Sequence, residues 1–380
     1  MREFIPYGRQ NIDEEDIKAV VETLRSDWIT QGPRVNEFEA RVAEYCGARY
    51  AVAFNSGTSA LHAAMYAAGI RAGDEVITTP LTFVATANAA LYVGARPVFV
   101  DIDEKTYCID IERIEEAVTP RTRAIVPVDY AGYPVDMQRI REAADKHNLV
   151  VIEDAAHALG AVREGVAVGS QADMTMFSFH PVKHITTGEG GMIVCNNPDY
   201  YRQLKLFRSH GITKETECLK ANDGPWYYEM QELGYNLRIT DIQCTLGIAQ
   251  MNKLGKFLQE RQLLAEKYNQ ALGQIKWIRT PPVPSADSRH AYHIYPLLLA
   301  ADVDRTNFYT YLREHNIGVQ VHYIPVHLQP YYHRRFGYNP GDFPKAENFY
   351  AREISIPLFP GLTSEQQEYV IKVIKSFAFR

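Results

Sequence analysis

The stretch MTMFSFHPVKHITTGEGGMIVC, Met174–Cys195, carries a lone lysine between an apolar run and a glycine-rich turn. Lys183 follows MTMFSF, stands between His180 and His184, and is trailed by Thr186-Thr187-Gly188-Glu189-Gly190-Gly191. Three readings are open for such a residue. A lysine in a turn is ordinarily a solvated surface group. Two histidines four positions apart are compatible with a metal pair. An amine led out of a buried strand and held in a pocket is a group for covalent chemistry. The residues on either side decide among them.

Around this stretch, apolar runs alternate with helical patterns. YAVAF (50–54) precedes TSALHAAMYAAG (58–69), and DEVITT (74–79) precedes VATANAALYVG (84–94). PVFV (97–100) precedes IERIEEAV (111–118), AIVPV (124–128) precedes DMQRIREAADKH (136–147), and LVVIED (149–154) comes before MTMFSF. Strands apolar throughout and separated by helices predict an α/β fold, with a mostly parallel central sheet covered on both faces. Ligands of such sheets sit at the carboxyl ends of the strands. Two helices come first. One is capped by Asp13 and carries Ile17, Val20, Val21 and Leu24 on one face; the other carries Val35, Phe38, Val42 and Tyr45. Near Thr240 the texture changes. A long, broken helical region (240–272) leads to PPVP, then strands AYHIYPLLL (291–299) and VQVHY (319–323), with helices RTNFYTYLREH (305–315) and SEQQEYVIKVIKSF (364–377). The expected division is a large domain with an N-terminal arm, 1–250, and a smaller C-terminal α+β domain, 251–380.

Composition narrows the function. With 46% apolar and 23% charged residues, the 380-residue chain reads as a soluble globular protein. A net charge of −6 leaves no basic excess for phosphate backbones, so no nucleic-acid partner is expected. The cysteines, Cys46, Cys108, Cys195, Cys218 and Cys244, are scattered with no CxxC pair, as in a cytoplasmic protein with reduced thiols. The N-terminus lacks an apolar leader and no apolar run is long enough to span a bilayer, so no membrane partner is expected.

The strand ends carry the chemistry. After YAVAF, Asn55-Ser56-Gly57-Thr58 opens a helix, and its outward N–H groups with the Thr58 hydroxyl suit a phosphate. Serine and threonine there are also ordinary helix caps. No GxGxxG or GxxxxGK[ST] competes. Asp154, in Glu153-Asp154-Ala155-Ala156-His157, ends a buried strand, where an acid is either paired or functional. Thr82 and Phe83 follow ITTP at a strand-to-helix transition, and Ser178 lies five residues before Lys183. Together these supply a phosphate cradle, an acid for a cationic ring nitrogen, a flat apolar face and an amine for a carbonyl. Pyridoxal 5′-phosphate has a phosphate, a pyridine nitrogen, a ring and an aldehyde. A metal site from Asp154, His157, His180 and His184 is the weaker reading. Pro181 disfavours a regular helical histidine pair, and the cradle would go unexplained. No metal is expected.

These residues resemble the DegT-type sugar aminotransferases, a family of fold-type-I pyridoxal phosphate enzymes. NSGTSAL, TTPLTFVATANA, PVFVDID, VIEDAAHALGA, FSFHPVKHITTGEGG and GYNLRITDIQ carry the resemblance in order, and VQVHYIPVH extends it, so it covers essentially the whole chain. It implies a transaminase that uses pyridoxal 5′-phosphate, with pyridoxamine 5′-phosphate as its intermediate form. Lys183 would bear the Schiff base and Asp154 would pair with the pyridinium nitrogen. His157, where many relatives carry glutamine, would approach the ring hydroxyl, and Phe83 would stack on the ring. Gly57, Thr58 and Ser178 would hold the phosphate, and Asn236 would reach the phosphate of the neighbouring subunit, implying a homodimer with shared sites. Tyr7, Asp27, Trp28, Ile29, Thr30, Arg238, His322, Tyr323, Ile324 and Pro325 would line a nucleotide-sugar site. Read without the family, Trp28 and Tyr323 are packing aromatics.

REFIPYGRQNIDEEDIKAV, SDWITQGP and LFRSHGI carry a finer resemblance, to the branch serving pseudaminic acid biosynthesis. It implies amination at C4 of a UDP-linked 2-acetamido-2,6-dideoxy-L-arabino-4-hexulose, with L-glutamate as donor. A D-configured UDP- or dTDP-linked keto sugar is the alternative. A sugar dehydratase is less favoured, because those relatives carry histidine where Lys183 stands. A non-catalytic sugar-binding relative is opposed by the complete set of lysine, aspartate and phosphate groups.

Overall fold

A computed structural model describes residues 3–378. Seven strands build its main sheet: β1 (Tyr50–Phe54), β2 (Glu75–Thr78), β3 (Arg96–Phe99), β4 (Thr122–Val126), β5 (Val150–Asp154), β6 (Met174–Ser178) and β7 (Gly191–Cys195). Their order is β1-β7-β6-β5-β4-β2-β3. Strands β2 to β6 pair in parallel, whereas β7 runs antiparallel to both β1 and β6. Both faces are covered, which explains the unbroken apolar runs. Ile125 of β4 packs with Ile77 and Val151 in one core, while Ala124 and Val126 pack with Ile152 and Ile193 in another.

Two strands end beside the start of β7. Gly191 is paired with Phe54, the last residue of β1, and with Ser178, the last residue of β6. Residues 179–190 therefore leave and re-enter the sheet at one point, beside the end of β1.

Helix α1 (Glu14–Leu24) starts where Asp13 accepts hydrogen bonds from the N–H groups of Glu15 and Asp16, in a reciprocal capping box with Asp16. Its apolar stripe points outward: Ile17, Val21 and Leu24 are exposed, while Asp16 and Thr23 are buried. Those two find polar partners on α5 (Asp241–Met251) and just beyond it, where Gln250 Nε2 donates to Asp16 Oδ2 at 2.8 Å, Lys253 pairs with the same oxygen, and Thr23 meets Thr245 at 2.7 Å. Helix α2 (Pro33–Cys46) buries Val35, Phe38 and Val42 as its pattern predicts, with Tyr45 at the rim. Helices α3 (Gly57–Ala67) and α4 (Val84–Tyr92) follow β1 and β2.

A second, antiparallel sheet consists of β8 (Ile278–Arg279), β9 (Tyr295–Leu299) and β10 (Glu353–Ile356). Helix α6 (Leu254–Leu272) belongs to both units. Its Leu254, Phe257 and Leu258 pack in the core under Phe177 and Phe179, and its Ala265, Tyr268 and Leu272 pack against β9. Ile5 joins that second core, with its N–H on Asn316 O and its carbonyl receiving Gly318 N. VQVHY, expected as a strand, is not one. Only Gln320 bridges to Ser355, and the His322 N–H is taken by the Glu353 side chain at 2.8 Å instead of a ladder carbonyl.

Candidate active site

A cavity of about 650 Å³ opens at the carboxyl ends of β1, β5 and β6, a size suited to a small-molecule ligand. Lys183 enters it from the loop between β6 and β7. That loop is fixed from within: Lys183 N donates to His180 O, Phe179 N to Gly190 O, and Thr187 N to Phe179 O. Lys183 Nζ lies 3.4 Å from His293 Nε2. Burial pushes the lysine down to about 8, against the upward pull of Asp154. An ordinary surface lysine would show no such shift.

Asp154 ends β5 inside the cavity wall. Its Oδ2 accepts from Thr86 Oγ1 at 2.6 Å, Thr86 in turn meets Thr82 at 2.7 Å, and Oδ1 accepts from Ala156 N at 3.2 Å. Burial raises its pKa, while those hydrogen bonds and Lys183 oppose the rise. Among the described residues it forms no ion pair with a basic side chain within 4 Å. The carboxylate is thus a buried charge with room for a cationic partner supplied by a ligand. His157 stands beside it. Its Nε2 meets Tyr323 OH at 3.0 Å, and its buried Nδ1 has no hydrogen-bond partner among the described residues. Burial holds this imidazole neutral, well below its ordinary range.

At the other end of the cavity, α3 begins. Ser56 caps it by accepting from Ser59 N at 3.1 Å, and the first-turn N–H groups of Gly57 and Thr58 have no intrahelical acceptor. The backbones crowd together here. A Cβ on Gly191 would lie 2.5 Å from Ser56 O and 2.6 Å from Gly57 N, and one on Gly57 would touch the Ser178 side chain at 3.4 Å. Only glycine at 191 lets the helix start approach the ends of β1 and β6 this closely.

Tyr7, Phe83, His322, Tyr323 and Ile324 also line the cavity. Phe83 is 57% exposed, with its ring 6.0 Å from that of Tyr323. His322 Nδ1 is engaged by Ser355 Oγ at 2.8 Å. Pro325 lies just beyond, before Val326, whose N–H meets Pro80 O. The remaining expected residues are not in this cavity. Asp27, Trp28 and Ile29 are exposed; Thr30 bridges to Thr240; Asn236 is exposed and bridges to Ser209, with Arg238 two residues on. Residues 29–34 run beside the start of α5, where Asp241 accepts from Gly32 N and Arg34 N, so these positions share one side of the chain.

The metal reading lacks a ligand set. His184 donates its Nε2 proton to Ala291 O at 3.0 Å, and among the described residues no group of three or more His, Cys, Asp or Glu side chains could hold a metal ion. Two cavity residues went unread in the sequence. His293 is a polar interruption of the apolar AYHIYPLLL, and Thr86 lies one turn into VATANAALYVG; both breaks in pattern were visible signals. The donors at α3, the buried carboxylate and the dehydrated amine fit pyridoxal 5′-phosphate.

The model of the DegT/DnrJ/EryC1/StrS aminotransferase family matches residues 10–375. The chain belongs to that family. The spore coat polysaccharide biosynthesis protein SpsC of Bacillus subtilis is 43% identical over 98% of this chain and 96% of its own. The UDP-4-amino-4,6-dideoxy-N-acetyl-β-L-altrosamine transaminase of Campylobacter jejuni is 39% identical over 96% of this chain and 95% of its own. Among solved structures, Helicobacter pylori PseC, an aminotransferase of pseudaminic acid biosynthesis, superimposes with a TM-score of 0.91 at 35% identity, covering 99% of this chain and 100% of that one. Like other DegT/DnrJ/EryC1/StrS members, this protein is a sugar aminotransferase of fold type I, and its cofactor is pyridoxal 5′-phosphate; one similar protein is known in both the pyridoxal and pyridoxamine phosphate forms. Among the described residues no helix is long and apolar enough to cross a membrane.

Proposed function

We propose that this enzyme transfers the amino group of L-glutamate to C4 of a UDP-linked 2-acetamido-2,6-dideoxy-L-arabino-4-hexulose, as a cytoplasmic homodimer serving pseudaminic acid biosynthesis. The similarity to the Campylobacter jejuni transaminase along nearly the whole chain carries the choice of substrate. The juxtaposition of Lys183, Asp154 and the α3 start in one cavity carries the chemistry.

When bound, the cofactor supplies an aldehyde that takes up the amino group and a ring that withdraws electrons from the neighbouring carbon. The protein does the rest. Gly57, Thr58 and Ser178 bind the phosphate, and Phe83 covers the ring. Asp154, held by Thr86, keeps the ring nitrogen protonated, because a buried carboxylate gains most from a cation beside it. His157 would approach the ring hydroxyl from the cavity wall. Lys183 anchors the cofactor and, once free, takes the proton from the donor's α-carbon on Nζ. It returns a proton to sugar C4 in the second half. With a pKa of about 8, it has a usable free-amine fraction at neutral pH.

Tyr7, His322, Tyr323, Ile324 and Pro325 form the sugar side of the mouth. Asp27, Trp28, Ile29, Thr30, Asn236 and Arg238 would act in the site of the neighbouring chain. The exposed apolar residues Ile17, Val21, Leu24, Trp28 and Ile29 support such a contact, since a lone chain would gain nothing by leaving them in water.

The second reading is a keto sugar of D configuration linked to UDP or dTDP; SpsC, a spore coat polysaccharide biosynthesis protein, is more similar in sequence than the Campylobacter jejuni transaminase, so polysaccharide precursors belong on the substrate panel. The test is single-turnover amination by the pyridoxamine form on a panel of 4-keto nucleotide sugars. The L-arabino UDP sugar should react at least about tenfold more efficiently than its D-xylo epimer, equivalent to roughly 1.4 kcal/mol. The reverse preference would select the second reading.

A further inference from the structure

His293 is held in place through its backbone as well as by the packing of its ring. It lies two residues before β9 and is buried. Its N–H donates to Ala131 O at 2.9 Å. Arg261 Nη1, reaching across from α6, donates to the carbonyls of Tyr292 and His293 at 3.0 Å each and of Leu358 at 3.2 Å. This clamp ties the backbone of His293 to both cores through α6. The ring is thereby presented edge-on to the lysine, with Nε2 3.4 Å from Lys183 Nζ, and it rests 4.3 Å from the His157 ring.

The two ring nitrogens are not equivalent. Nδ1 is buried and has no hydrogen-bond partner among the described residues, whereas Nε2 has Lys183. A neutral imidazole carries one proton, and an orphaned buried N–H costs more than an orphaned lone pair. The proton therefore sits on Nε2, where it has an acceptor only if the lysine nitrogen bears a lone pair. We propose that His293 is a positioning residue that stores Lys183 as a free amine by donating its Nε2–H to the lysine nitrogen.

The other groups around Lys183 leave this role open. Asp154, from the end of β5, is the anion whose charge favours the ammonium. Arg261 opposes it. His157, His184 and His322 are held neutral by burial, Tyr323 and Tyr7 by burial as phenols, and Glu189 lines the outer wall. Only His293 lies within hydrogen-bond reach of Nζ among the described residues. If Lys183 picks up a proton, His293 must shift its own proton to Nδ1, where nothing accepts it. The ammonium is thus a transient state, and the lysine hands its proton on readily. The inference rests on the reading of Lys183 as the proton-carrying amine.

The experiment uses the full-length apoprotein, so it does not depend on the sugar or on turnover. Long-range ¹H–¹⁵N spectra of histidine-labelled protein, assigned with His293→Gln, should show His293 as the neutral Nε2–H tautomer between about pH 6 and pH 8. Competitive acetylation with trace acetic anhydride, read by peptide mass spectrometry, gives the titration of Lys183. In His293→Gln the side-chain carbonyl can accept from an ammonium, so Lys183 should become about tenfold more basic. An Nδ1–H tautomer or an imidazolium at His293 overturns the proposal, as does an unchanged Lys183 titration in the folded glutamine variant. If that variant does not fold, His293→Asn supplies the assignment and the wild-type tautomer decides. Loss of transamination with the tautomer intact would instead count against the proposed function.

Discussion

Replacing Gly191 with alanine would put a methyl carbon 2.5 Å from Ser56 O and 2.6 Å from Gly57 N and Cα, where ordinary contacts begin at 3.4 Å. The shortfall is 3.4 − 2.5, or 0.9 Å. Gly191 cannot yield it, because it is paired with Phe54 on one side and Ser178 on the other. The start of α3 must move instead. Overpacking of this kind costs about 1–3 kcal/mol, and in a chain of this size that lowers the melting temperature by a few degrees. The effect on the cofactor is larger. An N–H···O bond near 2.9 Å, stretched by most of that shortfall, is no longer a hydrogen bond. Each bond from Gly57 or Thr58 to a phosphate is charge-assisted, worth about 1.5–3 kcal/mol, so losing one weakens pyridoxal phosphate binding roughly 10- to 150-fold. Thermal unfolding of the apoprotein and equilibrium dialysis against the cofactor measure the two effects separately. A folded Gly191→Ala variant that binds pyridoxal phosphate as tightly as the wild type would refute the placement of the phosphate at the α3 start.

Asp154→Asn should keep the fold and slow both half-reactions about 10- to 150-fold, the value of one hydrogen bond to a charged group. In the apoprotein the same change should lower the Lys183 titration further below about 8, because Asp154 is what pulls it up; no movement would show that the two do not face each other. Burial pushes the Glu153 carboxyl up to about 7 and its neighbour Asp129 well above the ordinary range, so the folded state keeps protons that the unfolded chain has released. Stability contributed by Glu153 is therefore full below 4.5 and falls as pH rises through about 7; Glu153→Gln should flatten that fall in melting curves of the apoprotein, and an unaltered slope would count against the assignment. Mixing an Asn236 variant with a Lys183 variant should restore activity as subunits exchange, since one site then carries both lesions and the other neither; proven exchange without recovery argues against shared sites.

The main sheet was legible because β1 to β6 are apolar on both parities, a pattern that only a doubly covered sheet demands. The cavity was legible for the same reason. Asp154 and Lys183 are charges attached to buried strand ends, and buried charge must have a use or a partner. Other features depend on contacts that no local pattern carries. The apolar stripe of α1 faces outward because Asp16 and Thr23 find polar partners more than 200 residues away. VQVHY has strand composition, yet a carboxylate replaces its ladder partner at His322. His293 looked like one more strand residue until Arg261 and Ala131 fixed where its ring goes. Asn236 and Trp28 do not line the cavity of their own chain, and no local pattern in one sequence marks which copy a residue would serve.

The pairing of Ser178 with Gly191 has a consequence for how such enzymes can change. Residues 179–190 begin and end at a single rung of the sheet, so adding or removing residues there shifts no strand register. Closing a loop of doubled length costs only about 0.6 kcal/mol more. A crossover between parallel strands has no such freedom, since its length is bound to the helix it contains. Lys183 therefore rides on a segment of the sheet whose length no strand register fixes. Grafting that segment between related chains would transplant Lys183 and leave Asp154 at the end of β5 and the start of α3 where they are.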